Sequence, residues 1–330
     1  MFEKLVTTSR PTGRRRHPKP AEDEIPTRPG VPVEVRTVSS SDGTRLHVEI
    51  RGRTDAPTIV LSHGVLCALR FWRHQIHQLS TEFRVVAYDQ RGHGRSEVAP
   101  RGQYTLGHLA DDLHAVLAAT VSPEQPAVIA GHSMGGIAVL AWARRYPTEV
   151  PTRASAVALV NTTPGQVLDH VAFLRGPDRL LPLRRRLAQA AAPLAGLPLP
   201  RRLPGRRHLL RRVAVGPQPP AEVVREVDAM VSATAARVRG SCGTTLVNLV
   251  ETLDPAAISV PALVIAGRTD RITPPERSRL LASKLPRLLG LRELDCGHCS
   301  PLERPEEVRT ALRELAQLPP QQSAAHQATT

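Results

Sequence analysis

The chain has 330 residues, 41% of them apolar, which is enough to bury a large core as one α/β domain or two smaller ones. Only 3% are aromatic, so aliphatic side chains must fill the interior and few rings are available for stacking on bases. Net charge is +14 and uneven: residues 175–212 carry eleven Arg and one acid, Asp178, a stretch that attracts anionic surfaces but has no nucleic-acid motif beside it.

Residues 1–30 are polar, Pro-rich and charged, without periodicity, and read as a disordered or loosely attached arm. Within it Arg14-Arg15-Arg16 is followed by His-Pro-Lys-Pro and not by an apolar segment, so neither a Sec nor a twin-arginine signal is read and a cytoplasmic location is expected. Val33–Val38 and Arg45–Arg51 both alternate, with Asp42-Gly43 between them, which predicts a two-strand hairpin. The period then changes. Pro57–Ser62, Phe83–Tyr88, Ala127–Ala130 and Ala154–Val160 are continuous apolar strands, separated by helical patterns at Phe71–Leu79, Leu106–Thr120 and Ile137–Arg145. Strands alternating with helices predict βαβ units and a mostly parallel sheet covered on both faces.

From Gly165 to Asp254 no buried strand appears. Helices are expected at Gln166–Leu174, Arg179–Ala192, Ala221–Val238 and Thr244–Leu253, with an irregular Pro/Gly/Arg-rich link over Pro193–Pro220. The βα rhythm resumes with a strand at Val260–Ala266, a helix at Glu276–Leu285, a last strand at Leu288–Leu294 and an amphipathic helix at Pro305–Leu318. No stretch of 18 apolar residues suggests a transmembrane helix. The expected organisation is an α/β core of 31–164 and 255–318, a helical insertion at 165–254, and a disordered tail at 319–330.

The stretch that organises the chain is Gly131-His132-Ser133-Met134-Gly135-Gly136, between a strand and a helix. Such a turn holds a serine hydroxyl proud of the sheet, beside N–H groups at a helix N-terminus. A serine needs a base, and the base an orienting acid. His298 follows the final strand and Asp270 follows Val260–Ala266. In a parallel sheet the C-terminal strand ends share one edge, so Ser133, Asp270 and His298 can meet there. Asp295, on the loop of His298 itself, is the rival acid. An oxyanion hole is expected from the N–H of Met134 and, in the His63-Gly64-Val65-Leu66 loop, that of Val65. His63 is expected to fix that loop. Cys296-Gly-His-Cys299 has metal-ligand spacing but no second pair, and Cys67, Cys242, Cys296 and Cys299 make no disulfide framework; no metal or cofactor is expected.

These motifs resemble those of the α/β-hydrolase fold superfamily. They are His63-Gly64, Asp89-Gln-Arg91-Gly-His-Gly94-Arg-Ser96, the Ser133 turn, Gly267-Arg-Thr-Asp270 and Gly297-His298-Cys-Ser-Pro-Leu-Glu303-Arg-Pro305. The chain is similar to the branch that holds carboxylesterases, cofactor-free haloperoxidase-like enzymes, epoxide hydrolases and C–C hydrolases. A serine at the elbow argues against epoxide hydrolysis, which uses Asp there. The resemblance implies a cap between the two halves of the core, matching 165–254. The expected activity is hydrolysis of a small-molecule ester through an acyl-enzyme. The alternatives are acyl transfer or perhydrolysis on the same triad, and a non-catalytic receptor on the same scaffold. Leu66, Phe173 and Met230 are candidate pocket residues, and the aliphatic composition of 165–254 points to an aliphatic acyl group. A weak attraction of 175–212 to anionic surfaces is expected.

Overall fold

A computed structural model describes residues 25–167, 178–192, 194, 205–249 and 253–319. Eight strands form one sheet: β1 (Val33–Ser39), β2 (Arg45–Arg51), β3 (Thr58–Ser62), β4 (Arg84–Tyr88), β5 (Ala127–His132), β6 (Ala154–Val160), β7 (Ala262–Gly267) and β8 (Leu288–Leu294). Their spatial order is β1-β2-β4-β3-β5-β6-β7-β8. The β1–β2 and β2–β4 pairs are antiparallel, and the pairs from β4 through β8 are parallel. This is the mostly parallel sheet that the alternation of strands and helices predicts.

The uninterrupted apolar strands are explained by a core on each face. On β6, Val157 and Leu159 point into one core while Ala156, Ala158 and Val160 point into the other. β7 divides the same way, with Val264 on one side and Leu263 and Ile265 on the other. The first core is closed by Leu113 and Leu117 of α2 (Leu106–Thr120) and Leu140 of α3 (Met134–Arg145). The second is closed by Ile76 and Leu79 of α1 (Arg73–Leu79) and by Val308, Leu312 and Leu315 of the closing helix Pro305–Ala316. Both helical faces show the three- and four-residue spacing of their apolar residues.

Between β6 and β7 the chain is helical. The described elements are α5 (Leu181–Ala191), α6 (Arg206–Val213), α7 (Ala221–Ala233) and α8 (Ala236–Val247); α4 (Val150–Arg153) is a single turn before β6. The chain ends with α9 (Pro275–Ala282), α10 (Ser300–Glu303) and α11, the closing helix Pro305–Ala316.

Four expectations need correction or a boundary. The helix expected at Ala221–Val238 breaks at Thr234 and Ala235, whose ψ values of 125° and 142° are extended. The Thr234 hydroxyl turns back to the Met230 carbonyl at 3.1 Å, competing with the helix backbone. The helix expected at Thr244–Leu253 begins instead at Ala236 and ends at Val247. The link Pro193–Pro220 contains α6, which five charged or His residues among eight had hidden from an apolar-period reading. Most of the helix expected at Gln166–Leu174 lies outside the described residues.

Of the N-terminal arm, residues 25–30 are described and are attached. Ile25 is buried against the second core, and Arg28 donates to His77 and to Gln78 at 3.0 and 2.8 Å.

Candidate active site

The C-terminal ends of β3, β5, β6, β7 and β8 lie along one edge, and each contributes a loop to a single cluster. At the end of β5 the chain turns through Ser133, with φ 53° and ψ −118°, directly into α3. A Cβ on Gly131 would lie 2.5 Å from the Gly135 carbonyl oxygen, and one on Gly135 would lie 2.3 Å from that of Ser62 on β3. Only glycine fits at either position. The strained serine is tied down by its neighbours: its N–H donates to Val160 at 3.0 Å, and its carbonyl accepts from Thr162 Oγ1 at 2.7 Å.

Asp270 follows β7 and is buried. Its Oδ2 accepts from His298 Nδ1 at 2.7 Å, Thr273 Oγ1 at 2.8 Å and Asn161 Nδ2 at 3.0 Å. Its Oδ1 accepts from the backbone N–H of Ile272 and Thr273 at 2.8 and 2.9 Å. Burial pushes this carboxyl up, but the adjacent His298 charge and these donors outweigh burial and hold it below its ordinary value. Nδ1 of His298 thus carries a proton held by Asp270, which leaves Nε2 with a lone pair. The rival Asp295 is exposed and pairs with Arg268 at 2.7 Å.

His298 is fixed by its backbone as well. Its carbonyl accepts from His132 Nε2 at 2.8 Å, and the two rings stand 4.8 Å apart, so the imidazole is packed against the residue that precedes Ser133. The Ser133 hydroxyl is not hydrogen-bonded to His298 here; such bonds commonly tighten only around substrate. The His298 N–H donates to the Ala214 carbonyl at 3.1 Å. On either side of it, the N–H groups of Gly297 and Cys299 donate to the Glu303 carboxylate at 3.1 and 3.0 Å. The same carboxylate accepts from Gly216 N–H at 2.7 Å, so one half-buried acid joins the His298 loop to the segment between α6 and α7.

The loop after β3 lies against the elbow: a Cβ on Gly64 would come within 3.1 Å of the Ser133 Cβ. The Met134 N–H is the first of α3 and has no intrahelical acceptor. The Val65 N–H has no acceptor among the described residues. His63 holds this loop as expected, donating from Nδ1 to Gly64 O at 2.7 Å and accepting Gln90 N–H on Nε2 at 3.0 Å. His93 does a similar job, accepting Leu66 N–H on Nε2 at 3.1 Å while Nδ1 donates to Arg91 O at 3.0 Å.

Of the candidate pocket residues, Leu66 is half-buried with φ 61°, and Met230 on α7 is buried in the cluster that also contains Cys299 and Cys67. Phe173 lies outside the described residues. The four cysteines are free thiols, and burial pushes Cys67 and Cys242 up to about 12. Asn161, Thr273, Glu303, His93 and His132 support the site in ways that the sequence assigns to none of them. Asn161 sits at the end of β6, a strand end on the working edge, and that position was the available signal.

Residues 57–305 match the family model described as alpha/beta hydrolase fold. The chain belongs to that family. The esterase from Thermogutta terrifontis superimposes with a TM-score of 0.65 at 26% identity, covering 85% of this chain and 97% of that one. A protein of Mycobacterium tuberculosis named probable oxidoreductase EphD is 29% identical over 301 residues, 86% of this chain and 49% of that protein. The chain thus spans about half the length of that relative. The bifunctional esterase/perhydrolase of Acinetobacter calcoaceticus is 37% identical over 124 residues, 37% of this chain and 44% of that protein. No helix among the described residues is long and apolar enough to cross a membrane.

The buried histidines make an α/β-hydrolase of this build sensitive to acid. Burial, and for His63 also the neighbouring His93 ring, lowers His63 to about 3 and His93 to about 4; burial with the charge of His298 holds His132 well below its ordinary value. Unfolded histidines bind protons near pH 6.5 while these do not, so stability is full above pH 6.5 and is lost as pH falls toward the folded values. Each contributes up to about 1.4 kcal/mol per pH unit. Urea midpoints measured from pH 7 down to 5 should fall steeply, and a flat profile over that range would contradict it.

Proposed function

We propose that this chain is a serine ester hydrolase working through an acyl-enzyme on Ser133. Ser133 Oγ attacks the acyl carbon while His298 Nε2 takes its proton. Asp270 keeps the Nδ1 proton in place and stabilises the imidazolium. The N–H groups of Val65 and Met134 receive the oxyanion. The imidazolium then protonates the departing alcohol. Water, losing a proton to His298, adds to the acyl carbon; collapse releases the acid and returns the proton to Ser133. The observation that carries this reading is the 2.7 Å bond between His298 Nδ1 and the five-donor carboxylate of Asp270, beside a strained serine elbow.

Residues 165–254 serve as a cap in this reading. Support comes from Ala214 and Gly216, which bond to the His298 loop, and from Met230, packed in the cluster that reaches Cys67 and Cys299. With Leu66 they favour an aliphatic acyl group. The oxidoreductase named for the mycobacterial relative is not carried over, because the match covers half of that protein and a strained serine beside a His298–Asp270 pair supports acyl transfer instead.

The test is a panel of p-nitrophenyl esters of graded chain length, run with and without a fluorophosphonate. Turnover of aliphatic esters, blocked with one adduct on the Ser133 peptide, supports the reading. No turnover and no adduct would leave a non-catalytic receptor on the same scaffold. A second reading, perhydrolysis, is favoured by the name of the Acinetobacter relative; peracid formed from acetate and hydrogen peroxide would support it.

A further inference from the structure

The helices between β6 and β7 turn leucines outward. Leu180, Leu183 and Leu187 recur at spacings of three and four, so they share one face, and they are 42%, 54% and 61% exposed. The opposite face of α5 is the packed one: Leu181 and Ala188 are half-buried and Ala192 is buried. α5 has therefore not simply frayed from the protein. It is seated by Leu181, Ala188 and Ala192 and presents its other leucines to water. Leu194 follows at 60% and Leu209, on α6, is 62% exposed. Half of the ten large hydrophobic side chains exposed among the described residues lie in this stretch.

Cations flank these leucines. Arg179 and Arg186 are exposed and sit next to Leu180 and Leu187 in the chain, about 100° around the helix from each. Arg207, Arg211 and Arg212 are exposed around Leu209. Asp228, 5% exposed at its side chain, pairs with Arg206 and Arg207, so its carboxylate offsets the charge of that pair only locally. A short helix with an outward apolar face and guanidinium groups at its margin fits the boundary between anionic headgroups and acyl chains. An acidic protein groove would match the charge but would not need three leucines this exposed on one short helix.

We infer that the leucine face of α5 is a peripheral docking site for an anionic lipid bilayer. Leu180, Leu183 and Leu187 enter the upper acyl region while Arg179 and Arg186 lie at headgroup level. This binding does not depend on the ester-hydrolase reading and is measured without turnover.

The experiment is flotation of the full chain with phosphatidylcholine vesicles, with and without phosphatidylglycerol, at low and high salt. Binding is expected only with phosphatidylglycerol and should weaken with salt. Leu183→Glu/Leu187→Glu and, separately, Arg179→Glu/Arg186→Glu should each reduce partitioning by about tenfold or more. Both variants should keep wild-type turnover of a soluble short-chain ester, or a wild-type thermal unfolding curve if the chain turns over none. Failure to float with anionic vesicles would overturn the inference. So would binding that the leucine variant leaves unchanged. A wild-type dimer that the leucine variant converts to monomer, seen by sedimentation velocity, would overturn it too by making this face a self-interface.

Discussion

Ser133→Ala is expected to lower kcat for a p-nitrophenyl ester by about a millionfold, with little change in stability. The two halves of that expectation have separate causes. Activity falls because the acyl-enzyme cannot form without an oxygen at this position; the backbone donors and the pocket still bind substrate and leave a residual rate above that in water. Stability holds because the hydroxyl has no hydrogen-bond partner among the described residues, so removing it strands no buried donor or acceptor. The strain at φ 53° is the same for Ala as for Ser, and the bonds from Thr162 and to Val160 involve only the backbone of residue 133. A thermal shift corresponding to less than about 0.5 kcal/mol is expected, as for a substitution outside the packed core. The informative failure is a variant that folds and keeps more than a small fraction of its turnover, since it would place the nucleophile elsewhere.

The elements that sequence made legible are those whose chemistry is local. The turn at Ser133 announces itself through Gly131 and Gly135, because the collisions that exclude a Cβ there are with the next helix turn and the adjacent strand. The buried strands announce themselves because both faces are covered. Less legible was whatever depends on an approach between distant segments. Asn161 bonds to Asp270 across 109 residues, and nothing in Asn161-Thr-Thr-Pro164 indicates that its amide props an acid. Glu303 is similar: it lies within a recognised motif, yet that its carboxylate also takes the Gly216 N–H is visible only once the inserted helices are in place. The break at Thr234 went unread because Ala, Val and Met continue helical spacing through it. That the leucines of α5 face outward is not legible either, since periodicity tells which residues share a side but not which side meets solvent.

Asp270→Asn should reduce kcat by about ten-thousandfold, and the donor arrangement around the carboxylate explains why an isosteric amide does so much harm. All five partners of Asp270 are donors, with Ile272 and Thr273 N–H on Oδ1 and His298, Asn161 and the Thr273 hydroxyl on Oδ2. An amide has one acceptor end. If its oxygen stays with the two backbone N–H groups, its NH₂ faces the amide of Asn161 and the ring of His298. That end can then donate to Nδ1 only if the histidine carries its proton on Nε2, where it cannot accept from Ser133. If the amide flips, its NH₂ meets two backbone donors instead and leaves them unpaired, at about 1–3 kcal/mol each. The flipped arrangement would keep the productive tautomer but strands two buried N–H groups, so the first arrangement is the one populated and the variant loses turnover. Because substrate is bound by other groups, KM should move far less than kcat. Asp295→Asn is the matched control: its carboxylate is exposed and paired with Arg268, so its loss should leave kcat within about twofold. Measured side by side on one ester, a large effect at 295 with a small one at 270 would reassign the acid.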